Sequence, residues 1–283
     1  MSAKTVEHLN GVNQLAERYD FFLLDQFGVL HDGASPYPGA VEALSALKRA
    51  GKTIVLISNS GKRAGPNESR LLKLGFEPGS WDHFVSSGEV AWEFFHDMAV
   101  SGKLLPNTKC LLISRDDDRS AIEGLPFALT KDGDDAGLVL ISASEGDRYD
   151  LEHYRRLLAP AAVRQVPCFC TNPDKIMLTA VGPRFGAGRL ADLYEDLGGS
   201  VTRIGKPYPT IFGAALAVAG NPDRSTVVCV GDSVEHDIAG GLAAGVATVL
   251  VLSGILADTP DLFDLFDTMD AYPDYTMDGF RFR

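Results

Sequence analysis

A chain of 283 residues is long enough to bury a sizeable core and to form two domains, or one domain with a large insertion. With 38 acidic against 26 basic residues its formal charge is −12, which argues against nonspecific attraction to nucleic acid or an anionic membrane, because both rely on clustered Lys and Arg. A composition 45% hydrophobic and 23% charged is that of an ordinary globular protein, and four cysteines in this length do not make a disulfide scaffold.

Met1 to Asp20 is polar and mixed in charge, without the apolar run of a signal peptide, and Leu9 to Arg18 has the spacing of a short helix. Phe21-Phe22-Leu23-Leu24 is too short for a helix and breaks abruptly at Asp25, which predicts a buried parallel strand ending in an exposed carboxylate. Ligands of open α/β sheets bind just outside the carboxyl ends of strands, so Asp25 stands where chemistry is expected. Ala40 to Ala50 carries Val41, Leu44 and Leu47 at helical spacing and closes at Gly51; Thr53 to Ile57 is a second strand that stops at Ser58-Asn59-Ser60. Strand, helix and strand with short joins make a right-handed βαβ unit, which sets Asp25 and Ser58 side by side. Helices are expected over Asn67 to Leu74 and over Glu89 to Met98, the second with an aromatic stripe suited to core packing.

From Cys110 the pattern changes. Cys110 to Ser114 and Gly137 to Ile141 read as strands separated by a polar, acidic stretch from Arg115 to Asp135. Within it Asp116-Asp117-Asp118 lacks the alternating acids and terminal Glu of a calcium loop and reads as a solvated turn. Leu151 to Leu158 is a predicted helix and Pro167 to Thr171 a strand; a glycine-rich connection over Gly182 to Gly188 feeds a helix over Arg189 to Leu197. Cys168 and Cys170 face one side of their strand, but no matching Cys or His pair completes a zinc site. All four cysteines sit in apolar strand-like runs, which predicts buried thiols in the reducing cytoplasm; no stretch is long enough to cross a bilayer.

Thr202-Arg203-Ile204 leads to Gly205-Lys206-Pro207. Five residues separate Gly199 from Gly205, and Pro207 stands where Ser or Thr is required, so the P-loop reading is rejected. Tyr208 to Ala219 is helical, and Thr226 to Val230 is a strand ending at Gly231-Asp232-Ser233, with Asp237 close behind. A helix over Ile238 to Ala244 and a strand over Thr248 to Leu252 follow, and the acidic, aromatic segment from Asp258 carries no motif.

Asp25, Ser58, Lys206 and Asp232 each follow or open an element at the ligand-binding edge of one sheet. Two strand-end acids, a hydroxyl and a lysine suit a phosphate, yet a phosphate dianion beside Asp25, Asp232 and Asp237 would meet about 4 kcal/mol of repulsion per charge pair at about 4 Å, even when moderately screened. One lysine cannot offset that, so a divalent cation is required, and clustered carboxylates with a strand-end carbonyl suit Mg²⁺. In that reading Asp25 attacks phosphorus and forms an aspartyl phosphate, while Lys206 neutralises the nucleophile and the moving phosphoryl group. Ser58 and the backbone near Asn59 hydrogen-bond the phosphoryl oxygens, Asp232 binds the metal, and Asp237 either supports it, directly or through water, or orients Lys206.

These residues resemble the haloacid dehalogenase (HAD) superfamily of phosphohydrolases over nearly the whole chain. Asp25 to Leu30 is similar to the first motif of that family, Leu56-Ile57-Ser58-Asn59 to the second, Gly205-Lys206-Pro207-Tyr208-Pro209 to the lysine motif, and Gly231-Asp232-Ser233 through Asp237 to the last acidic motif. Thr171-Asn172-Pro173-Asp174 and the glycine-rich loop after it resemble the class IIA subgroup, which includes p-nitrophenyl-, nucleotide- and pyridoxal-phosphate phosphatases. The resemblance implies an α/β fold: a Rossmann-like parallel-sheet core formed by residues 1–106 and 200–283, with a smaller α/β cap inserted over 107–199. It also implies a small phosphorylated metabolite as substrate, and Mg²⁺ as cofactor, with the backbone carbonyl of Phe27 joining the carboxylates as a ligand. Caps of this type often contribute dimer contacts in the family, so a homodimer is among the expected states.

In one place the chain departs from the pattern. Phosphatases of the family carry a second Asp two residues after the nucleophile, where it protonates the leaving oxygen and later activates water; here that residue is Phe27. The loss falls on general acid–base catalysis, worth about 10²- to 10⁴-fold. Three outcomes follow. Turnover is confined to good leaving groups such as aryl, enol or acyl phosphates; or His31, Asp32 or His236 supplies the proton; or turnover is lost and the protein senses a phosphorylated ligand. An aromatic residue here also resembles the dehalogenases of the superfamily, which have Tyr at this position and work without Mg²⁺, whereas Asp232 and Asp237 look like a retained metal site. The resulting expectation is a slow or leaving-group-selective Mg²⁺-dependent phosphatase.

Overall fold

Runs of Val, Ile, Leu and Phe with no polar alternation call for strands covered on both faces, and the chain builds two parallel sheets from them. The computed structural model describes residues 6–179, 182–256 and 262–283. It divides into two compact units, the first made of Met1–Ser58, Gly65–Val85 and Lys206–Arg283, the second of Asn59–Ala64 and Ser86–Gly205.

In chain order, β1 (Glu7–Leu9) and α1 (Val12–Ala16) lead into β2 (Phe21–Leu24), followed by α2 (Ala40–Arg49), β3 (Thr53–Ser58), α3 (Ala64–Lys73) and β4 (His83–Ser86). Next come α4 (Ser87–Val100), β5 (Thr108–Ile113), β6 (Phe127–Thr130), β7 (Leu138–Ile141), α5 (Leu151–Val163), β8 (Cys168–Cys170), β9 (Ile176–Thr179), β10 (Gly182–Phe185), α6 (Ala187–Asp196) and β11 (Val201–Arg203). The chain closes with α7 (Pro209–Val218), β12 (Val227–Gly231), a π-helical turn over Val234–Ile238, α8 (Ala239–Ala243), β13 (Ala247–Val251), α9 (Leu262–Met269) and β14 (Tyr275–Met277).

Among the described residues, seven strands form the sheet of the first unit in the order β1-β14-β13-β12-β2-β3-β4. β2 lies at its middle, paired in parallel with β12 through Phe22↔Val228 and Leu24↔Val230 and with β3 through Leu24↔Leu56. Phe22, Leu23, Leu24, Leu56, Val228 and Val230 are fully buried, as a strand covered on both faces requires. α2 buries Ala43, Leu44 and Leu47 on one face, with Glu42 in its first turn and Lys48 and Arg49 in its last, where each sign suits the helix dipole.

The second unit holds a five-stranded parallel sheet in the order β11-β8-β7-β5-β6 and an antiparallel β9–β10 hairpin. Helix α4 lays Phe95 against Phe169 and Phe127, with ring centroids 5.0 and 5.5 Å apart, so the aromatic stripe is packing. Cys110, Cys168, Cys170 and Cys229 are buried and free. Burial pushes the Cys110 and Cys170 thiols up to about 12, which leaves them unreactive at neutral pH.

Several elements differ from the sequence expectation. β1 and β6 are edge strands of three and four residues, too short to show a period. The glycine-rich stretch taken as a connection contains β10, because Gly182 to Phe185 pairs back on Ile176 to Thr179. Helix α5 continues past Pro160 to Val163; the buried Ala161 and Ala162 hold the extra turn against the hydrogen bond that proline removes. Asp258 lies outside the described residues, but the segment read as motif-free contains α9 and β14 from Leu262 onward. Among the described residues no helix is long and apolar enough to cross a membrane.

Candidate active site

The first unit's sheet reverses its strand order at β2: β3 and β4 lie to one side, β12, β13 and β14 to the other. Connections diverge at such a point and open a crevice beyond the carboxyl ends of the strands. β2 ends next to Asp25, β12 next to Asp232, and β3 at Ser58. The Asp25 backbone N–H donates to the Val230 carbonyl at 2.9 Å, carrying the pairing one residue past the strand.

Asp25, Asp232 and Asp237 are all buried, and each offers a carboxylate oxygen, the three lying within 4.8 Å of one another. Asp237 enters on the π-helical turn, where the Ser233 backbone N–H donates to its Oδ2 at 3.2 Å. Lys206, just ahead of α7 and only 2% exposed, donates from Nζ to Asp237 Oδ1 at 2.7 Å and pairs with Asp25 Oδ1 at 2.9 Å. Burial works to lower the lysine pKa, but Asp237 and Asp25 outweigh it and hold the ammonium charged. Lys206 therefore pairs directly with two of the three buried acids.

Backbone approach makes this crowding feasible at two glycines. A Cβ on Gly28, which has φ +86°, would fall 1.9 Å from Asp232 Oδ2, and one on Gly231 would fall 1.9 Å from Asp237 Cγ. Ser58 Oγ accepts from Gln26 Nε2 at 2.8 Å, and the Gln26 backbone N–H donates to Asp25 Oδ1 at 2.8 Å. Gln26 is the site residue that sequence reasoning missed. It neither titrates nor fits a period, and its only signal was adjacency to Asp25.

The other candidates have local tasks. Phe27 is 37% exposed, with its ring edge-on to His31 at 5.7 Å between centroids. His31 is fully buried; its Nδ1 accepts from the Gly33 N–H at 2.9 Å, and burial and the Arg70 charge push its pKa down to about 4. Asp32 is exposed and accepts from the Ala34 and Ser35 N–H groups at 2.8 and 2.7 Å, which hold its carboxyl below the usual range. A neutral, engaged imidazole and an ionised turn carboxylate are poor proton donors at neutral pH, so the geometry speaks against both as substitute acids. His236 stands on the turn that carries Asp237, with its Nδ1 3.2 Å from Ser233 Oγ. Asn59 belongs to the second unit, and its side-chain amide donates to Asp174 Oδ1 at 2.8 Å.

Comparison with known proteins bears on what this arrangement is. A haloacid dehalogenase-like hydrolase model matches residues 22–128, and a HAD-hydrolase-like model matches residues 203–280. Human chronophin is 30% identical over 244 residues, spanning 82% of this chain and 81% of chronophin. The chain belongs to the haloacid dehalogenase-like hydrolase family. Among solved structures of HAD relatives, the p-nitrophenyl phosphatase from Archaeoglobus fulgidus is similar with a TM-score of 0.71 and 27% identity, covering 92% of this chain and 96% of that one. The glycerol phosphate phosphatase from Mycobacterium tuberculosis, solved in complex with magnesium, shares the HAD fold with a TM-score of 0.71 at 24% identity, over 93% of this chain and 75% of its own.

Proposed function

We propose that this HAD hydrolase is a Mg²⁺-dependent phosphatase that takes the phosphoryl group of a small phosphorylated metabolite onto Asp25 and passes it to water. The reaction class is phosphoric monoester hydrolysis, in keeping with the phosphatases among its relatives. The observation that carries the reading is the trio of buried acids gathered around one lysine at the switch point of the sheet.

That trio suits a divalent ion. Burial pushes the Asp25 carboxyl well above the usual carboxylate range; Lys206 opposes the shift, and Asp237 and Asp232 add to it. Asp25 becomes a competent nucleophile when positive charge beyond Lys206 joins the cluster, and an all-oxygen donor set suits Mg²⁺. Asp25, Asp232, Asp237 (directly or through water) and the backbone carbonyl of Phe27 would hold it. When bound, the ion would neutralise charge on the carboxylates and on the phosphoryl oxygens.

Asp25 then attacks phosphorus: an O–P bond to the carboxylate forms while the bond to the leaving oxygen breaks, and water later cleaves the aspartyl phosphate to release inorganic phosphate. Lys206 offsets the charge on Asp25 throughout, and Ser58 with the backbone at Asn59 holds the phosphoryl oxygens. Phe27 brings no proton to the leaving oxygen, so aryl, enol and acyl phosphates are the favoured substrates. Residues 107–199, which fall within the second unit, are read as the cap that selects among them. A cytoplasmic setting fits its buried free thiols, and a homodimer fits caps of this type.

Release of p-nitrophenol from p-nitrophenyl phosphate with Mg²⁺, above that of an Asp25→Asn control, tests the reading. Phe27 favours one rival, a phospho-ligand sensor without turnover, and release no greater than the control would establish that rival. Chloride release from a 2-haloacid without metal would instead support a dehalogenase.

A further inference from the structure

Gln26 is 3% exposed, next to the proposed nucleophile, and has no task in the reaction above. Donor and acceptor chemistry fixes the direction of three hydrogen bonds around it. The Gly33 N–H can only donate, so His31 Nδ1 accepts and the ring proton sits on Nε2. From there Nε2–H donates to Gln26 Oε1 at 3.4 Å, and the amide nitrogen of Gln26 donates to Ser58 Oγ at 2.8 Å. A flipped amide would set its NH₂ against the imidazole N–H, donor against donor. The backbone of Gln26 is pinned as well: its carbonyl accepts from the Leu30 and His31 N–H groups at 2.8 and 3.1 Å. All three side chains are buried, where a displaced polar group has no water to turn to.

We propose that Gln26, held in place by His31, is a positioning residue that occupies an acceptor lone pair of Ser58 and thereby commits the Ser58 hydroxyl to donate to the transferring phosphoryl group. A serine hydroxyl has one proton and two lone pairs, and its proton rotates to suit its neighbours. With an amide N–H directed at the oxygen, the proton is excluded from that side, and the donor is oriented before the anion arrives rather than after it. Gln26 never touches substrate through its side chain; its effect passes through Ser58. The inference rests on the phosphatase reading of the site.

A double-mutant cycle tests it: wild type, Gln26→Met, Ser58→Ala and the double variant, each compared for kcat on p-nitrophenyl phosphate with Mg²⁺ and for Kd of inorganic phosphate. Met keeps the length of Gln and removes the strong donor. Ser58→Ala should lower kcat roughly 100-fold. Gln26→Met should lower it about tenfold in the wild-type background but less than about twofold in the Ser58→Ala background. His31→Phe, which breaks the relay one step away and leaves Gln26 in place, should show a smaller loss with the same dependence on Ser58. Equal factors in both backgrounds overturn the proposal. If wild type does not turn over, the phosphatase reading fails, and the phosphate Kd values still decide the relay by the same comparison.

Discussion

Two gatherings of acidic side chains, one in each unit, behave oppositely. In the second unit Arg115 donates to both oxygens of Asp147 at 2.7 Å, Arg148 donates to Asp116 at 2.7 Å, and Arg148 also pairs with Glu145. Asp116 and Arg148 are well exposed, and every acid of that group has an arginine partner. Solvent screens such pairs, and they need nothing further. In the first unit Asp25 and Asp237 both pair with Lys206, Asp232 lies beside them, and all four residues are buried. Acidity alone distinguishes nothing here; burial and close spacing are what single out the second case as the proposed cation site.

Substitutions at each gathering should separate them. The largest effect belongs to Asp25→Asn, which should lower kcat on p-nitrophenyl phosphate about 10⁴-fold or more while the protein stays folded by circular dichroism. Next, Gly28→Ala drives a methyl group into Asp232, and turnover should fall about 100-fold with a weaker Mg²⁺ requirement curve, measured as activity against metal concentration. Phe27→Asp should raise turnover on alkyl phosphates about 10- to 100-fold and leave aryl phosphates less changed; an equal gain on both would separate the missing acid from leaving-group selectivity. At the small end, Arg115→Ala in the balanced network should move Tm by no more than about 2 °C, the effect shrinking further at high salt.

A pH test sharpens the contrast from the loop side. His31 has a pKa of about 4 in the fold against 6.5 in the unfolded chain, so folding favours its neutral form. Its contribution is complete above pH 6.5 and is lost as pH falls toward about 4, amounting to about 3 kcal/mol at most. Denaturant melts of wild type and His31→Phe at pH 7 and pH 4.5 should therefore differ in slope against pH, with the variant flatter through that window.

The residues of the proposed site were legible because each breaks a pattern. Asp25 and Asp232 interrupt runs of apolar residues, Ser58 closes one, and Lys206 follows a glycine ahead of a helix. What stayed hidden depended on distant partners. β6 exists because Cys110 and Leu111 offer it a ladder, β10 because Ile176 to Thr179 does, and β14 because it joins β1 and β13. The turn of α5 beyond the expected end at Leu158 also stayed hidden, since no local rule reports the buried Ala161 and Ala162. Gln26 carried no signal beyond its place next to Asp25, for an uncharged amide acquires a direction only once His31 and Ser58 flank it.

Calorimetric titration of the metal-stripped protein with MgCl₂, set beside the same titration of Asp232→Asn, addresses the cation most directly. One ion per chain bound by the wild type, accompanied by a rise in Tm and lost or greatly weakened in the variant, is the predicted result. Indistinguishable titrations of the two proteins, or no binding by the wild type, would contradict the account.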